Sequence, residues 1–422
     1  MDRMPSRAGR PSGRVLYISG SIGLGHAARD LAIVAALRRE VPGLQIDWLA
    51  GDPARRLIAE AGETVLEESS GFDETPVAEA SAEAFSLNLA DYVRRARGAW
   101  SGAIRAFAHV VTASRYDVVV GDEAYEIAGA LHAHPELRTA PFTMIYDFVG
   151  LDAMTWRPSE RLMVHAANRA WCGGRRGRPP GSDLTLFIGE PEDVPDRRFG
   201  FLLPNRRAYA RRYFEFVGYV FGFDPATYAD RAKTRARLGY DDQPLIVCCI
   251  GGTSVGGDLL RLCAAAHPRV RAQSPDSRMV LVCGPRLDPS TVRPPAGAEV
   301  RAYVPRLYEH FAASDLVVTQ GGGTTTLELT ALRRPFVYFP LEGHFEQDRV
   351  VGRRLARHRA GTRLDYTETT PDMLADTIIG LLGTQATWAP IPTDGAQRAA
   401  RQIANLLSGR TPAMSVPHSP SR

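Results

Sequence analysis

The sequence predicts an α/β chain built as two doubly wound, Rossmann-like domains that face each other across a cleft. Two observations predict this. Short apolar runs alternate with helical stretches along the whole chain, the pattern of a parallel sheet covered on both faces. At 422 residues the chain is too long for one ordinary domain and suits two of about 200, each able to bury its own core.

In the first half the strands fall at residues 15–19, 45–49, 117–121, 142–146, 184–188 and 214–217, with helices such as 27–39 and 157–171 between them. The second half repeats the pattern with strands at 245–250, 279–283, 299–304, 316–318 and 335–339. Between the halves, VGYVFGFDPATY is punctuated by Gly and Pro and reads as a linker. The resulting plan is a tail at 1–14, a first domain at 15–217, a linker at 218–230, a second domain at 231–390, a C-terminal helix at 391–409 that returns to the first domain and a second tail at 410–422. The tails are rich in Pro, Ser and Arg or Gly and carry few apolar residues, so neither is expected to fold.

Composition narrows the class. Hydrophobic residues at 44% and charged ones at 23% are those of a globular enzyme. No apolar run reaches the 18 residues of a membrane span, and MDRMPSRAGRPSGR has no signal-like apolar core, so the expected location is the cytoplasm. Five cysteines, at 172, 248, 249, 263 and 283, show no CxxC spacing and read as small buried hydrophobes. Lys233 is the sole lysine, which excludes a GK[ST] phosphate loop, and its exposed setting in RAKTRAR argues against Schiff-base chemistry. Aromatics are too sparse near the arginines for a nucleic-acid groove.

The most informative stretch is LVVTQGGGTTTLELTALRRPFVYFPLEGHFEQD, residues 316–348. A strand runs into Gly321, Gly322 and Gly323, and a helix opens near Thr324. Backbone N–H groups and the positive helix end there form a seat for a diphosphate. The dipole contributes only ~0.3–1 kcal/mol at an exposed terminus, so hydroxyls of Thr324, Thr325 or Thr326 must add hydrogen bonds of roughly 1.5–3 kcal/mol each. Further on, Glu328 offers an acceptor-only carboxylate for the vicinal diol of a ribose. Glu346 and Gln347, after the next strand, suit the hydroxyls of a sugar ring. Taken singly, each of these residues has a plain structural reading as turn, cap or solvated surface; the ordered set points to a sugar nucleotide.

This order of residues resembles the donor-site signature of the two-domain GT-B glycosyltransferases, covering the UDP-glycosyltransferase superfamily and family 28. The resemblance implies that Gly322, Gly323 and Thr325 bind diphosphate, Glu328 the ribose, and Glu346 and Gln347 the sugar. It also implies that Tyr303 and Val304 lie where backbone groups pair with the base, and that Thr253 and Ser254 touch the diphosphate. Gln320 stands where many members carry histidine, so a cationic phosphate contact is not expected at that position. Arg286, after the strand at 279–283, is placed to assist the leaving group.

In the first domain, GSIGLGHAARD supplies a glycine turn with Gly23 and Gly25 and delivers His26 at a helix start. An imidazole there reads as a general base, kept neutral by the helix N-terminus, that takes the proton of an acceptor hydroxyl. Its orienting carboxylate is Asp122 first, Glu123 next and Asp147 third. The turn resembles that of the galactolipid synthases and related family 28 enzymes, and the His–Asp pair resembles the dyad of plant UDP-glycosyltransferases. The structural alternative is that His26 and Asp122 merely cap helices.

The expected reaction is therefore metal-independent, inverting transfer of a hexosyl or N-acetylhexosaminyl group from a UDP-sugar to an acceptor hydroxyl. No DxD occurs and no spacing suggests a metal site, so neither metal nor cofactor is expected. Two rivals differ in class. Gly252-x-Ser254-x-Gly256 matches a nucleophile elbow, with Asp315 and His344 as partners for a serine hydrolase. The other rival is a non-catalytic sugar-nucleotide binder. The acceptor is less legible. Residues 169–212 carry ten arginines against five acids, and Val93, Trp100, Ile104, Phe107 and Val111 form an apolar stripe flanked by Arg94, Arg95, Arg97 and Arg105. That surface suits either peripheral contact with an anionic membrane and a lipid acceptor, or an ordinary core helix; a secondary-metabolite hydroxyl is the other acceptor class.

Overall fold

The computed structural model describes residues 13–20, 24–72, 82–83, 86–87, 89–173, 177–251 and 256–409, with side chains left out at 82–97 and 99. Residues 1–12 of the first tail, all of the second, Gly23, Thr253 and Ser254 lie outside the described residues, whereas Arg14, assigned to the first tail, already opens a strand.

Two parallel sheets carry the chain. The first holds β1 (Arg14–Ile18), β2 (Gln45–Leu49), β3 (Thr64–Val65), β4 (Val118–Asp122), β5 (Phe142–Tyr146), β6 (Leu184–Ile188) and β7 (Glu215–Gly218), in spatial order 3-2-1-4-5-6-7. The second holds β8 (Leu245–Cys249), β9 (Arg278–Val282), β10 (Ala298–Arg301), β11 (Leu316–Gln320), β12 (Phe336–Phe339) and β13 (Thr362–Arg363), in order 10-9-8-11-12-13. In each sheet the first strand sits between its second and fourth, so the chain leaves it in opposite directions on either side. A crevice opens at the carboxyl ends of those central strands, where open α/β sheets bind ligands.

Alternation explains why both faces of each sheet are covered. Leu16 and Ile18 of β1 enter one core, while Val15 and Tyr17 enter the other. Ile246 and Cys248 of β8 likewise face away from Leu245, Val247 and Cys249. All five cysteines are free and buried, as small hydrophobes.

α1 (Gly25–Glu40) buries Ile33, Val34 and Leu37 against the first sheet, together with Ala399, Ala400 and Ile403 of α5 (Gly395–Leu407). The stripe on α2 (Leu89–Ala113) turns inward: Phe107 and Val111 are in the core and Ile104 packs against it. Of the two readings of that stripe, the core helix is the one observed over its described part; the Val93 side chain lies outside the described residues. The linker is packed as well. Tyr219, Val220 and Phe221 are buried, Tyr219 and Phe221 against Leu327 of α4 (Gly323–Leu332).

The strands differ from the sequence reading by a residue or two, with two consequences at the site. β4 runs one residue further and ends on Asp122, whereas β10 stops at Arg301 and leaves Tyr303 and Val304 in the following turn. Glu346 and Gln347 open a π-helical turn, Glu346–Val351, not a plain loop.

Candidate active site

His26 is the second residue of α1, and Asp122 is the last of β4, which pairs with β1. The crossing at this switch point brings His26 Nδ1 to 2.8 Å from Asp122 Oδ2, with Asp122 fully buried. A carboxylate only accepts, so Nδ1 carries the hydrogen and Nε2 is the nitrogen left to exchange a proton. Glu123 comes next, its Oε2 4.0 Å from His26 Nε2, with a left-handed backbone at φ 50°. Its Oε1 accepts from Tyr125 Oη at 3.1 Å and from the Asp147 N–H at 3.4 Å.

The sequence reading missed Arg29, which ties this cluster together. It lies three residues after His26 on α1, hence on the same helix face. Its Nε donates to Asp122 Oδ2 at 3.0 Å, and its terminal nitrogens donate to Asp122 Oδ1 and Asp147 Oδ1. One of them stands 2.9 Å from His26 Nδ1. The signal was present as HAAR at a helix start, but an arginine among fifty carries no mark of its own.

The electrostatics correct one expectation. Burial lowers the His26 pKa and Arg29 opposes protonation, yet the Asp122 carboxylate outweighs both and raises it to about 10. The helix N-terminus does not keep this imidazole neutral. Burial pushes Asp122 up, but Arg29 and then His26 pull it to about 2, so it stays ionised. Glu123 is raised to about 8 by burial and by Asp147, with Glu346 of the other lobe contributing.

In the second lobe β11 ends at Gln320, a buried residue, and α4 begins at Gly323. A Cβ on Gly321 would stand 3.0 Å from Pro340 Cα, whereas one on Gly322 would meet nothing within 4 Å. Gly321 is therefore set by packing and Gly322 by open approach to the cleft. Thr326 N–H is the first to bond back, to Gly322 O, so the N–H groups of Gly323, Thr324 and Thr325 have no intrahelical acceptor. The Thr326 hydroxyl also turns back, onto Gly322 O at 2.8 Å, which leaves Thr324 and Thr325 as the hydroxyls for a ligand. Burial raises Glu328 to about 8. Gln347 is buried, its Oε1 accepting from the Leu341 N–H at 3.0 Å, so its carbonyl holds the loop.

The lobes meet at these groups. A Cβ on Gly25 would collide with Thr324, and Arg29, Asp147, Gly323, Thr324, Glu346 and Arg354 line a gap of only about 20 Å³. Phe148 meets Phe345 edge to face, and Arg357 of the second lobe donates to Glu190 and Asp193 of the first at 2.7 and 2.8 Å. Further along, a cavity of about 400 Å³ lies between Pro53, Leu57 and Glu60 of the first lobe and Arg286 and Tyr303 of the second. Val304 packs into the second-lobe core beside it. His26, Glu123 and Asp147 hold ligand atoms within 4.8 Å of one another, the one such donor set among the described residues, and Arg29 already occupies Asp147 with a fixed positive charge.

The hydrolase reading fares poorly in this geometry. Asp315 precedes β11, at the amino end of the sheet, where it pairs with Arg231 and Arg235; Gly256 follows the carboxyl end of β8. Those edges are a five-residue strand apart, about 16 Å, too far for a Ser–His–Asp relay.

Comparison with known proteins points the same way as the geometry. Residues 246–406 match the glycosyltransferase family 28 C-terminal domain. The chain is 28% identical over 188 residues to the "UDP-N-acetylglucosamine--N-acetylmuramyl-(pentapeptide) pyrophosphoryl-undecaprenol N-acetylglucosamine transferase" of Mycobacterium sp. (strain KMS), covering 42% of this chain and 48% of that one. It thus spans about half the length of the curated relatives it matches. Its fold is similar to that of the kitacinnamycin glycotransferase, with TM-score 0.55 and 18% identity over 94% of this chain and 95% of the other. It is likewise similar to the glycosyltransferase SnogD from Streptomyces nogalater, with TM-score 0.54 and 19% identity over 95% and 97%. Two parallel-sheet lobes closing on a shared crevice thus give the chain a fold similar to that of solved glycosyltransferases, and residues 246–406, most of the second lobe, are similar to the family 28 C-terminal domain.

Proposed function

We propose that the chain transfers a hexosyl or N-acetylhexosaminyl group from a UDP-sugar to an acceptor hydroxyl, with inversion and without a metal ion. The first lobe receives the acceptor and the second holds the donor. The observation that carries this reading is the apposition of the two switch points: a His26–Asp122 pair on one lobe closes against the open N–H groups and threonine hydroxyls of the other.

In its neutral form His26 takes the acceptor proton at Nε2, while Nδ1–H stays hydrogen-bonded to the ionised Asp122. The acceptor oxygen then attacks the anomeric carbon, the bond to the diphosphate breaks, and one displacement inverts that centre. Charge developing on the diphosphate falls to the N–H groups of Gly323, Thr324 and Thr325 and to two threonine hydroxyls. Arg29 acts as a positioning residue, holding Asp122 and tempering the basicity of His26. Glu328 grips the ribose, Glu346 faces the sugar, and the cavity at Tyr303 and Arg286 receives the base.

The mycobacterial relative is named for a pyrophosphoryl-undecaprenol acceptor, and solved neighbours include a spinosyn rhamnosyltransferase complexed with spinosyn aglycone. Both acceptor classes, lipid and secondary metabolite, therefore belong to the proposal, with peripheral contact at the cytoplasmic face of the membrane in the first case.

UDP release from a panel of UDP-sugars, with and without EDTA, tests the reading. Turnover that survives EDTA and vanishes in His26→Ala supports it. Turnover abolished by EDTA and restored by a divalent cation would return His26, Glu123 and Asp147 to a metal. Ester hydrolysis lost only in Ser254→Ala would restore the hydrolase.

A further inference from the structure

Seven large apolar side chains stand exposed among the described residues, and five of them share one small region of the first lobe. Trp156 is 88% exposed, Phe201 81% and Leu162 70%, with Leu202 and Met163 beside them. Exposed apolar residues on a monomeric protein are ordinarily scattered singly; a cluster calls for a partner.

The five are carried by one helix, the segment that enters it and a turn that rests on it. Arg161 on α3 (Pro158–Trp171) lays its guanidinium over the Trp156 ring at 5.5 Å. Leu162 lies one helical turn from His165, and a Cβ on Gly200 would stand 2.6 Å from His165 Nδ1, so the turn carrying Phe201 and Leu202 rests on that same stretch of α3. Phe199 and Leu203 of that turn enter the core, and of the three residues between them Phe201 and Leu202 stand outward.

The surrounding charge identifies the partner. Arg157, Arg161, Arg169 and Arg198 are exposed and have no carboxylate partner among the described residues. The nearby acids are already engaged: Glu160 accepts from the backbone N–H groups of Met154 and Thr155, and Asp152 pairs with Arg197 and Arg206. An unbalanced arginine rim around a tryptophan-bearing apolar centre matches a bilayer interface, where rings sit at headgroup depth and guanidinium groups meet anionic lipid.

We infer that this patch seats the protein on an anionic membrane, and that the surface is formed by α3 and the 199–202 turn rather than by α2. The inference deepens the proposed function by naming where a lipid acceptor is met. Asn168 of α3 binds both the N–H and the carbonyl of Leu151, in the loop that begins with Asp147, so the patch is fixed to the acceptor side of the crevice.

Flotation of the full chain with phosphatidylcholine vesicles, with and without phosphatidylglycerol, is the test. Binding is expected only with the anionic lipid, and to fall at least about tenfold in both Trp156→Ser/Phe201→Ser and Arg157→Glu/Arg161→Glu. All four side chains are exposed, so thermal unfolding is expected to be unchanged and loss of binding to reflect the surface. Wild-type-like flotation of both variants overturns the inference, as does a dimer in analytical ultracentrifugation that Trp156→Ser/Phe201→Ser dissociates. UDP affinity, measured by calorimetry on the same proteins, reports separately on the donor reading.

Discussion

The two lobes share one topology and spend it on opposite chemistry. Each places its first strand between its second and fourth and gathers its site at that switch point. In the first lobe the site consists of titratable side chains that satisfy one another: His26, Arg29, Asp122 and Asp147. In the second it consists of glycine backbone, free N–H groups and hydroxyls. A lobe that moves a proton needs a base with a defined tautomer and a fixed counter-charge. A lobe that must hold and then release a diphosphate does better with preorganised dipoles, which stabilise developing charge without reorganising. If that division holds, damage to the first lobe removes turnover and spares binding, and damage to the second does the reverse.

The largest expected effect is that of His26→Ala, a fall in kcat of about 10²–10⁴ with calorimetric UDP affinity unchanged. A parallel loss of UDP affinity would mean that His26 belongs to the donor seat and that the division is wrong. Next comes Glu328→Ala. Loss of a half-buried partner for the ribose is expected to weaken UDP binding by about 1–3 kcal/mol while the pH profile of turnover keeps its shape. An unchanged dissociation constant would remove the ribose assignment.

The comparison also separates what the sequence could disclose from what it could not. Alternating short strands made both sheets legible, because buried parallel strands are short continuous apolar runs whatever their neighbours. The glycine and threonine set was legible because it is local: 28 residues hold Gln320 to Gln347. The dyad spans 96 residues, and only the register of β1 beside β4 closes that gap. Arg29 was hidden for another reason, since nothing in an arginine-rich chain distinguishes a buried guanidinium from a solvated one. The exposed patch went unread because it joins residues 156–163 to 201–202 through a turn that rests on a helix.

The pH profile sharpens the first-lobe half of the comparison. With the free-state His26 pKa raised to about 10, mainly against burial and by Asp122, kcat/KM is expected to climb through an alkaline limb rather than to level off at neutral pH. Asp122→Asn removes the main raising charge and leaves burial and Arg29, which lower the pKa, against the smaller raising effect of Glu123. The limb should therefore move down, towards or below 6.5, on top of a lower maximal rate. Stability follows the same sign: a folded-state pKa above 6.5 contributes stability that is complete below pH 6.5 and is lost as pH rises through about 10. Thermal midpoints of wild type should fall across that window, and those of His26→Ala should fall less. A limb that stays in place in Asp122→Asn would mean that His26 is not the titrating base.

The smallest effect tests whether the donor seat is as specific as the geometry suggests. Thr325 and Thr326 are adjacent, yet the Thr326 hydroxyl bonds Gly322 O at 2.8 Å and Gly323 O at 3.2 Å, inside its own helix. Valine has nearly the shape of threonine and lacks the hydroxyl, so Thr326→Val removes only those internal bonds, with an expected stability loss of about 0.5–1.5 kcal/mol and no change in UDP affinity. Thr325→Val, in contrast, removes a hydroxyl with no such internal bond that the proposed reading gives to the diphosphate; its expected cost falls on UDP binding, at about 1.5–3 kcal/mol, with the midpoint of unfolding unmoved. The pair is informative because the two positions share a helix turn, a residue type and a replacement, and differ in whether the hydroxyl is bonded inside the helix. Equal losses of UDP affinity in both would mean that the substitution disturbs the turn as a whole, and that the seat is formed by backbone N–H groups without side-chain help.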